Sequence, residues 1–227
     1  MTGLEHSKVL LLLLGTGTLL SWFWLMKMQN RLNIKWYSAL LIAFLHTVYG
    51  VATVKVFAAL ENIGNSEFSG GMSLFGGVFF MPIAYFLGAK ITKKKVSEVF
   101  DIFTICMIFT VMCARVNCLY AGCCIGNPIP FITDHTVRWP TRELELIFYI
   151  ILLVILIRKE LKGKTHGEIY PIYMMAYGSF RFIVEWFRYS EMSTGMIHLA
   201  HIWSLIALGI GMSIYMELKA QQEKKES

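Results

Sequence analysis

Apolar residues run along this chain in seven long blocks, at about 8–26, 36–60, 72–90, 100–121, 144–158, 168–187 and 196–217, separated by short polar stretches that hold most of the charge. Blocks of roughly 15 to 25 apolar residues are the length a helix needs to cross the hydrocarbon of a bilayer. The pattern predicts an all-α integral membrane protein of about seven transmembrane helices in a single membrane domain over 1–227. The fifth block is short, so its helix is expected to start inside the preceding polar segment. The first block lacks a basic leader and a small-residue cleavage site and reads as a span, not a signal peptide. The one long loop, 122–143, carries Gly, Pro, Thr and Asp and is expected to be irregular with short turns.

Composition agrees with that pattern. Of the 227 residues 56% are hydrophobic and 16% charged, whereas a soluble domain averages about 25% charged. The lysines and arginines are unevenly placed. Fourteen fall in 27–35, 90–99, 158–167 and the C-terminal tail, and four fall on the alternate side, at Lys8, Arg138, Arg142 and Arg188. The positive-inside rule then puts the N-terminus outside and the C-terminus in the cytoplasm. The net charge of +6 is a consequence of topology and implies no nucleic-acid partner.

Lys55, Arg115, Arg181 and Glu185 remain within apolar blocks, and ionisable side chains at membrane depth mark function by default. Tyr177, Arg181, Glu185 and Arg188 recur at i, i+4, i+8 and i+11, so they share one helix face. With a rise of 1.5 Å per residue, the four in-span charges lie roughly 20–30 Å from the cytoplasmic helix ends. Arg138 and Arg142 in the outer loop are expected beside them. Cations in excess of Glu185, Glu143 and Glu145 need counter-charge, and phosphate suits arginine because the guanidinium grips it with two nitrogens. Phosphatidylglycerol or another anionic phospholipid in the outer leaflet would supply it. The competing reading is a structural Arg181–Glu185 clamp, with Lys55 reaching to the interface along its own apolar stem.

Two further segments stand out. Gly70, Gly71, Gly76 and Gly77 lie within eight residues and imply close approach of backbone to a neighbouring helix or to a lipid headgroup. Cys118, Cys123 and Cys124 lie within seven residues at the end of the fourth block. A disulfide, a reactive thiolate beside Arg115 and a metal site all remain open by residue type. The spacing matches no zinc pattern, so no metal is assigned, and no cofactor is implied. Cys106 and Cys113, in mid-span, read as packing residues.

Four segments in order resemble the prolipoprotein diacylglyceryl transferase family. Residues 70–77, GGMSLFGG, are similar to its GGMSFHGG. Arg115 followed by Gly126 fits the frame of its R-x-G-N-F-x-N-x-E-x-x-G signature. Residues 138–145, RWPTRELE, resemble its R-H-P-S-Q-L-Y-E, and Tyr177 to Arg188 resemble its Y-G-x-x-R-x-x-x-E-F-x-R. Phe75 stands where the family has histidine, and Cys118, Ala121 and Cys123 stand where it has two asparagines and a glutamate, which suggests a divergent, cysteine-bearing branch.

The resemblance implies a multi-pass enzyme of the bacterial plasma membrane that moves diacylglyceryl from phosphatidylglycerol to the cysteine thiol of a lipobox-containing preprotein, or to another thiol acceptor, releasing glycerol phosphate. Arg181, Glu185, Arg115 and Tyr177 would be catalytic. Gly70, Gly71, Gly76, Gly77, Gly126, Arg138, Arg142 and Lys55 would contact the lipid. Glu185, Glu145, His198 and His201 are the candidates for the base that takes the thiol proton. A related transferase with another acceptor, a cysteine relay through Cys123 or Cys124, and a non-enzymatic lipid binder or transporter on the same fold are the alternatives.

Overall fold

The computed structural model describes residues 3–63, 71–132, 134, 136–163, 167–189 and 198–226. These form eight helices and no strand: α1 (Gly3–Lys27), α2 (Gln29–Leu32), α3 (Trp36–Glu61), α4 (Phe75–Ile91), α5 (Val96–Ala121), α6 (Thr141–Leu161), α7 (Ile169–Glu185) and α8 (Leu199–Glu226). Four of them, α1, α3, α5 and α8, are long and apolar enough to cross a membrane. Their outward faces carry large apolar side chains, among them Leu12 at 71% and Leu41 at 58% exposure. Apolar area on that scale is not what a soluble monomer leaves in water.

α5 is the axis of the bundle. It packs against α1, α3, α4, α6 and α7, and Ile102, Ile105, Cys106 and Ile108 on it are wholly buried. Side-chain hydrogen bonds to helix carbonyls tie the layers together. The Trp24 indole donates to the Ile102 carbonyl at 3.1 Å, and Thr18 donates to Thr47 between α1 and α3 at 2.9 Å. His46 meets the Tyr85 hydroxyl at 2.9 Å, and that hydroxyl donates to the Phe103 carbonyl at 3.1 Å. α7 and α8 lie close because Gly178 faces α8; a Cβ there would sit 2.6 Å from the Ser204 carbonyl oxygen.

One end of the bundle is closed by buried carboxylates. Asp101 accepts from the backbone N–H groups of Gly167 at 2.7 Å and Ile169 at 2.9 Å, which caps the start of α7. Glu160 pairs with Arg31, and Glu168 pairs with Lys159 at 2.7 Å and Lys219 at 2.8 Å. Helix starts and helix ends alternate, so the opposite end gathers the C-termini of α5 and α7 and the N-termini of α6 and α8.

Three helix boundaries are set by local contacts. α6 begins at Thr141, inside the expected 122–143 loop, where Pro140 presets the first turn and the Thr141 hydroxyl donates to the Cys124 carbonyl at 3.0 Å. α4 begins only at Phe75, because residues 71–73 run without helix and the Ser73 N–H donates to Val54 of α3 at 3.0 Å. α8 continues to Glu226, past the apolar block, as a polar turn carrying Lys219 back to Glu168.

Candidate active site

The loop after α5 folds onto the ends of its neighbours. Gly122, at φ 70, ends α5 in the left-handed conformation. The chain then pairs with the end of α7: the Asn127 N–H donates to Phe187 at 2.8 Å and the Tyr189 N–H to Ile125 at 3.0 Å. Gly126 is fixed by this packing, since a Cβ on it would meet the Trp139 carbonyl oxygen at 2.2 Å. Arg138 donates to the Gly126 carbonyl at 3.2 Å and lies over the Tyr189 ring.

Below that loop, between α3, α4, α5 and α7, is a cavity of about 1040 Å³. Lys55, Arg115, Tyr177, Arg181, Glu185 and Arg188 all line it. The stripe legible in the sequence therefore faces protein and cavity. Its counter-charge comes from α6. Glu145, 2% exposed, receives Arg115 on one oxygen at 2.6 Å and Arg181 on the other at 2.7 Å, with Arg188 3.9 Å away. Arg181 reaches Glu185 with its second nitrogen at 2.8 Å, and Glu185 turns its other oxygen toward His198 at 3.6 Å. Each guanidinium is thus fixed by carboxylates on one side and bounded by the cavity on the other. Sequence reading offered Glu145 as one acid among several and as a candidate base, and missed its place between two arginines.

Lys55 is exposed at the cavity wall and forms no ion pair among the described residues. Lys55, Arg115, Arg181 and Arg188 outnumber Glu61, Glu145 and Glu185 around the site, a surround that suits an anionic phosphodiester. The Tyr177 hydroxyl is buried and has no hydrogen-bond partner among the described residues, and the ring lies edge-on to Phe75 at 5.5 Å. Phe75 is 3% exposed, so it offers the site shape and no proton-handling group.

Other expected contacts fall elsewhere. Arg142 pairs with Glu143 at 3.7 Å, and neither Arg142 nor Arg138 lines the cavity. Gly71 and Gly77 do. Gly76 instead packs α4 on α3, where a Cβ would come 2.2 Å from the Thr53 carbonyl oxygen. Gly70 lies outside the described residues.

Cys118, Cys123 and Cys124 complete one wall of the cavity as free thiols. Their sulfurs lie within 4.8 Å of one another, and Arg188 places Nη2 3.0 Å from the Cys124 sulfur. Hydrogen bonds from the Cys118 and Cys123 thiols, and then the charges of Arg188 and Arg115, hold the Cys124 thiol below its ordinary range.

Residues 11–216 match the prolipoprotein diacylglyceryl transferase family. A phosphatidylglycerol–prolipoprotein diacylglyceryl transferase of Dehalococcoides mccartyi is 21% identical over 96% of this chain and 90% of its own length. Proteins of the same name from Clostridium tetani and Chlorobaculum tepidum are 24% and 26% identical over 69% and 70% of this chain, and 66% and 61% of their own lengths.

The chain belongs to the prolipoprotein diacylglyceryl transferase family.

As a member of that membrane-bound transferase family, it keeps the arginine–glutamate stripe of α7 inside the cavity. Phe75, Cys118 and Cys123, where the sequence departs from the motifs it resembles, line the same cavity.

Proposed function

We propose that this chain is a phosphatidylglycerol–prolipoprotein diacylglyceryl transferase, working in the outer leaflet of a bacterial plasma membrane with seven spans, the N-terminus outside and the C-terminus in the cytoplasm. The observation that carries the reading is the convergence of Arg115, Arg181 and Arg188 on one cavity. The volume of about 1040 Å³ is at the upper end for small-ligand pockets, as a lipid headgroup with the start of its acyl chains requires.

In the proposed reaction the acceptor sulfur attacks the diacylglyceryl carbon, the carbon–oxygen bond to phosphate breaks, and glycerol phosphate leaves with the electron pair. The thiol proton passes to a base and then to water. Charge grows on the departing phosphate, so fixed guanidiniums aimed at it stabilise the transition state more than the ground state. Arg115 and Arg181 have that role. Glu145 and Glu185 hold their planes, and the free Tyr177 hydroxyl donates to a phosphate oxygen. Glu145 spends both oxygens on arginines, whereas Glu185 keeps one toward His198, so Glu185 is the better placed proton acceptor.

The test is release of glycerol phosphate from headgroup-labelled phosphatidylglycerol by the purified protein. Release is expected with a lipobox peptide and not with its cysteine-to-serine counterpart. Release that ignores the acceptor cysteine would identify a lipid hydrolase instead.

A further inference from the structure

The three cysteines are not used by the reaction just described, yet the backbone is bent to bring them together. Cys118 lies at the start of the last turn of α5. Gly122 at φ 70 and Cys124 at φ 58 then turn the chain left-handed twice within three residues. A left-handed residue other than glycine is costly and persists only where its surroundings require it. The outcome is three sulfurs within 4.8 Å of one another, on residues that all line the cavity.

We propose that Cys118, Cys123 and Cys124 form a three-thiolate site for a thiophilic divalent ion of the zinc class, with its fourth position open to the cavity. The size fits: the centre of a triangle of that edge lies about 2.8 Å from each sulfur, and a contraction of about half an ångström reaches a zinc–sulfur bond of about 2.3 Å. The charge fits as well. Three thiolates and a divalent ion leave one negative charge, and Arg188 meets it at the Cys124 sulfur. A monovalent ion would leave two. Thiolates select against hard cations. No histidine or carboxylate joins the three sulfurs among the described residues, which leaves the coordination open, as in sites where metal acts on a substrate.

The role of such a site rests on the transferase reading; the binding does not. An acceptor thiol entering the fourth position would lose its proton to water outright. That would supply, beside the arginines, the thiolate that Phe75 cannot help to form. Two of the three ligands, Cys118 and Cys123, stand where the family pattern has asparagine and glutamate.

The test uses the full chain in detergent, reduced and metal-free. Zinc is titrated in competition with a chromophoric chelator, and cobalt(II) is titrated for its sulfur-to-metal charge-transfer band. One ion per chain is expected. Cys118→Ser, Cys123→Ser and Cys124→Ser should each weaken binding more than about 100-fold, beyond the about 10–100-fold that loss of an outer partner costs, while Cys113→Ser should bind as the parent does. In the unaltered protein, zinc should protect these three thiols from alkylation. A cysteine peptide, and not its serine form, should change the cobalt spectrum.

Absence of binding by the reduced protein, or unchanged binding in the three serine variants, would overturn the site. Recovery of a disulfide in place of metal-protected thiols would do the same. A cobalt spectrum indifferent to the cysteine peptide would overturn the open position. None of these readings uses phosphatidylglycerol, so failure of the transferase reaction would show itself separately.

Discussion

Glu145 decides whether the arginines form a site or a liability. Its two oxygens stand between Arg115 and Arg181 in a buried setting, and removing one partner of a buried ionic group costs about 3–5 kcal/mol. Glu145→Gln is therefore expected to lower the unfolding free energy by about that amount and to remove activity. Thermal unfolding followed in parallel with turnover would check it. Tyr177 makes the opposite case. Its hydroxyl has no partner among the described residues, so Tyr177→Phe should leave stability unchanged while slowing turnover about tenfold, the worth of one hydrogen bond made to substrate.

These two residues also differ in how far the sequence reveals them. The stripe of Tyr177, Arg181 and Glu185 is legible because a single helix sets its spacing. The Glu145–Arg181 contact joins residues 36 apart on different helices, and no local periodicity encodes it. The α6 start that aims Glu145 lies in a segment whose composition reads as loop. Arg138 and Arg142 were expected at the lipid because the loop's direction is invisible in sequence; hydrogen bonds to the end of α7 set that direction.

At the scale of elements, two contacts set how the helices lie. Gly76 lets α4 lie against α3, and Gly76→Leu should force the two helices apart and deform the wall that carries Gly77 and Lys55. Loss of transfer, with normal insertion but faster proteolysis between α3 and α4, is the expected result. Asp101 fixes the far end of α7 through two backbone N–H groups. Asp101→Ala leaves buried amides unpaired and should cost about 1–3 kcal/mol without touching the cavity residues. A fall in thermal stability larger than the fall in the activity of the remaining folded protein would mark it as structural. Apolar blocks reveal that such helices exist, and charge placement suggests their direction. Neither reveals that Asp101 caps α7, because a lone acid near the start of an apolar block has no sequence signature for a partner 66 residues away.

For the whole molecule, the arrangement separates two polar ends. One is sealed by Glu160, Glu168 and Asp101 with their partners. The other is hollow, cationic and lined with thiols. In the proposed orientation, set by the basic loops, the hollow end would meet the outer leaflet, where a lipid headgroup and an exported cysteine could meet. A fluorescent protein fused after Ser227 should remain bright and a periplasmic phosphatase fused there inactive; the reverse pair would invert the topology and remove the outer-leaflet site.

The most direct measurement is the mass of a lipobox peptide after incubation with the purified protein and phosphatidylglycerol. A gain equal to one diacylglyceryl group, located on the peptide's cysteine sulfur and lost with Arg181→Ala, is the predicted result. An unmodified peptide beside intact phosphatidylglycerol, from folded protein assayed both with and without added zinc, would contradict transferase function.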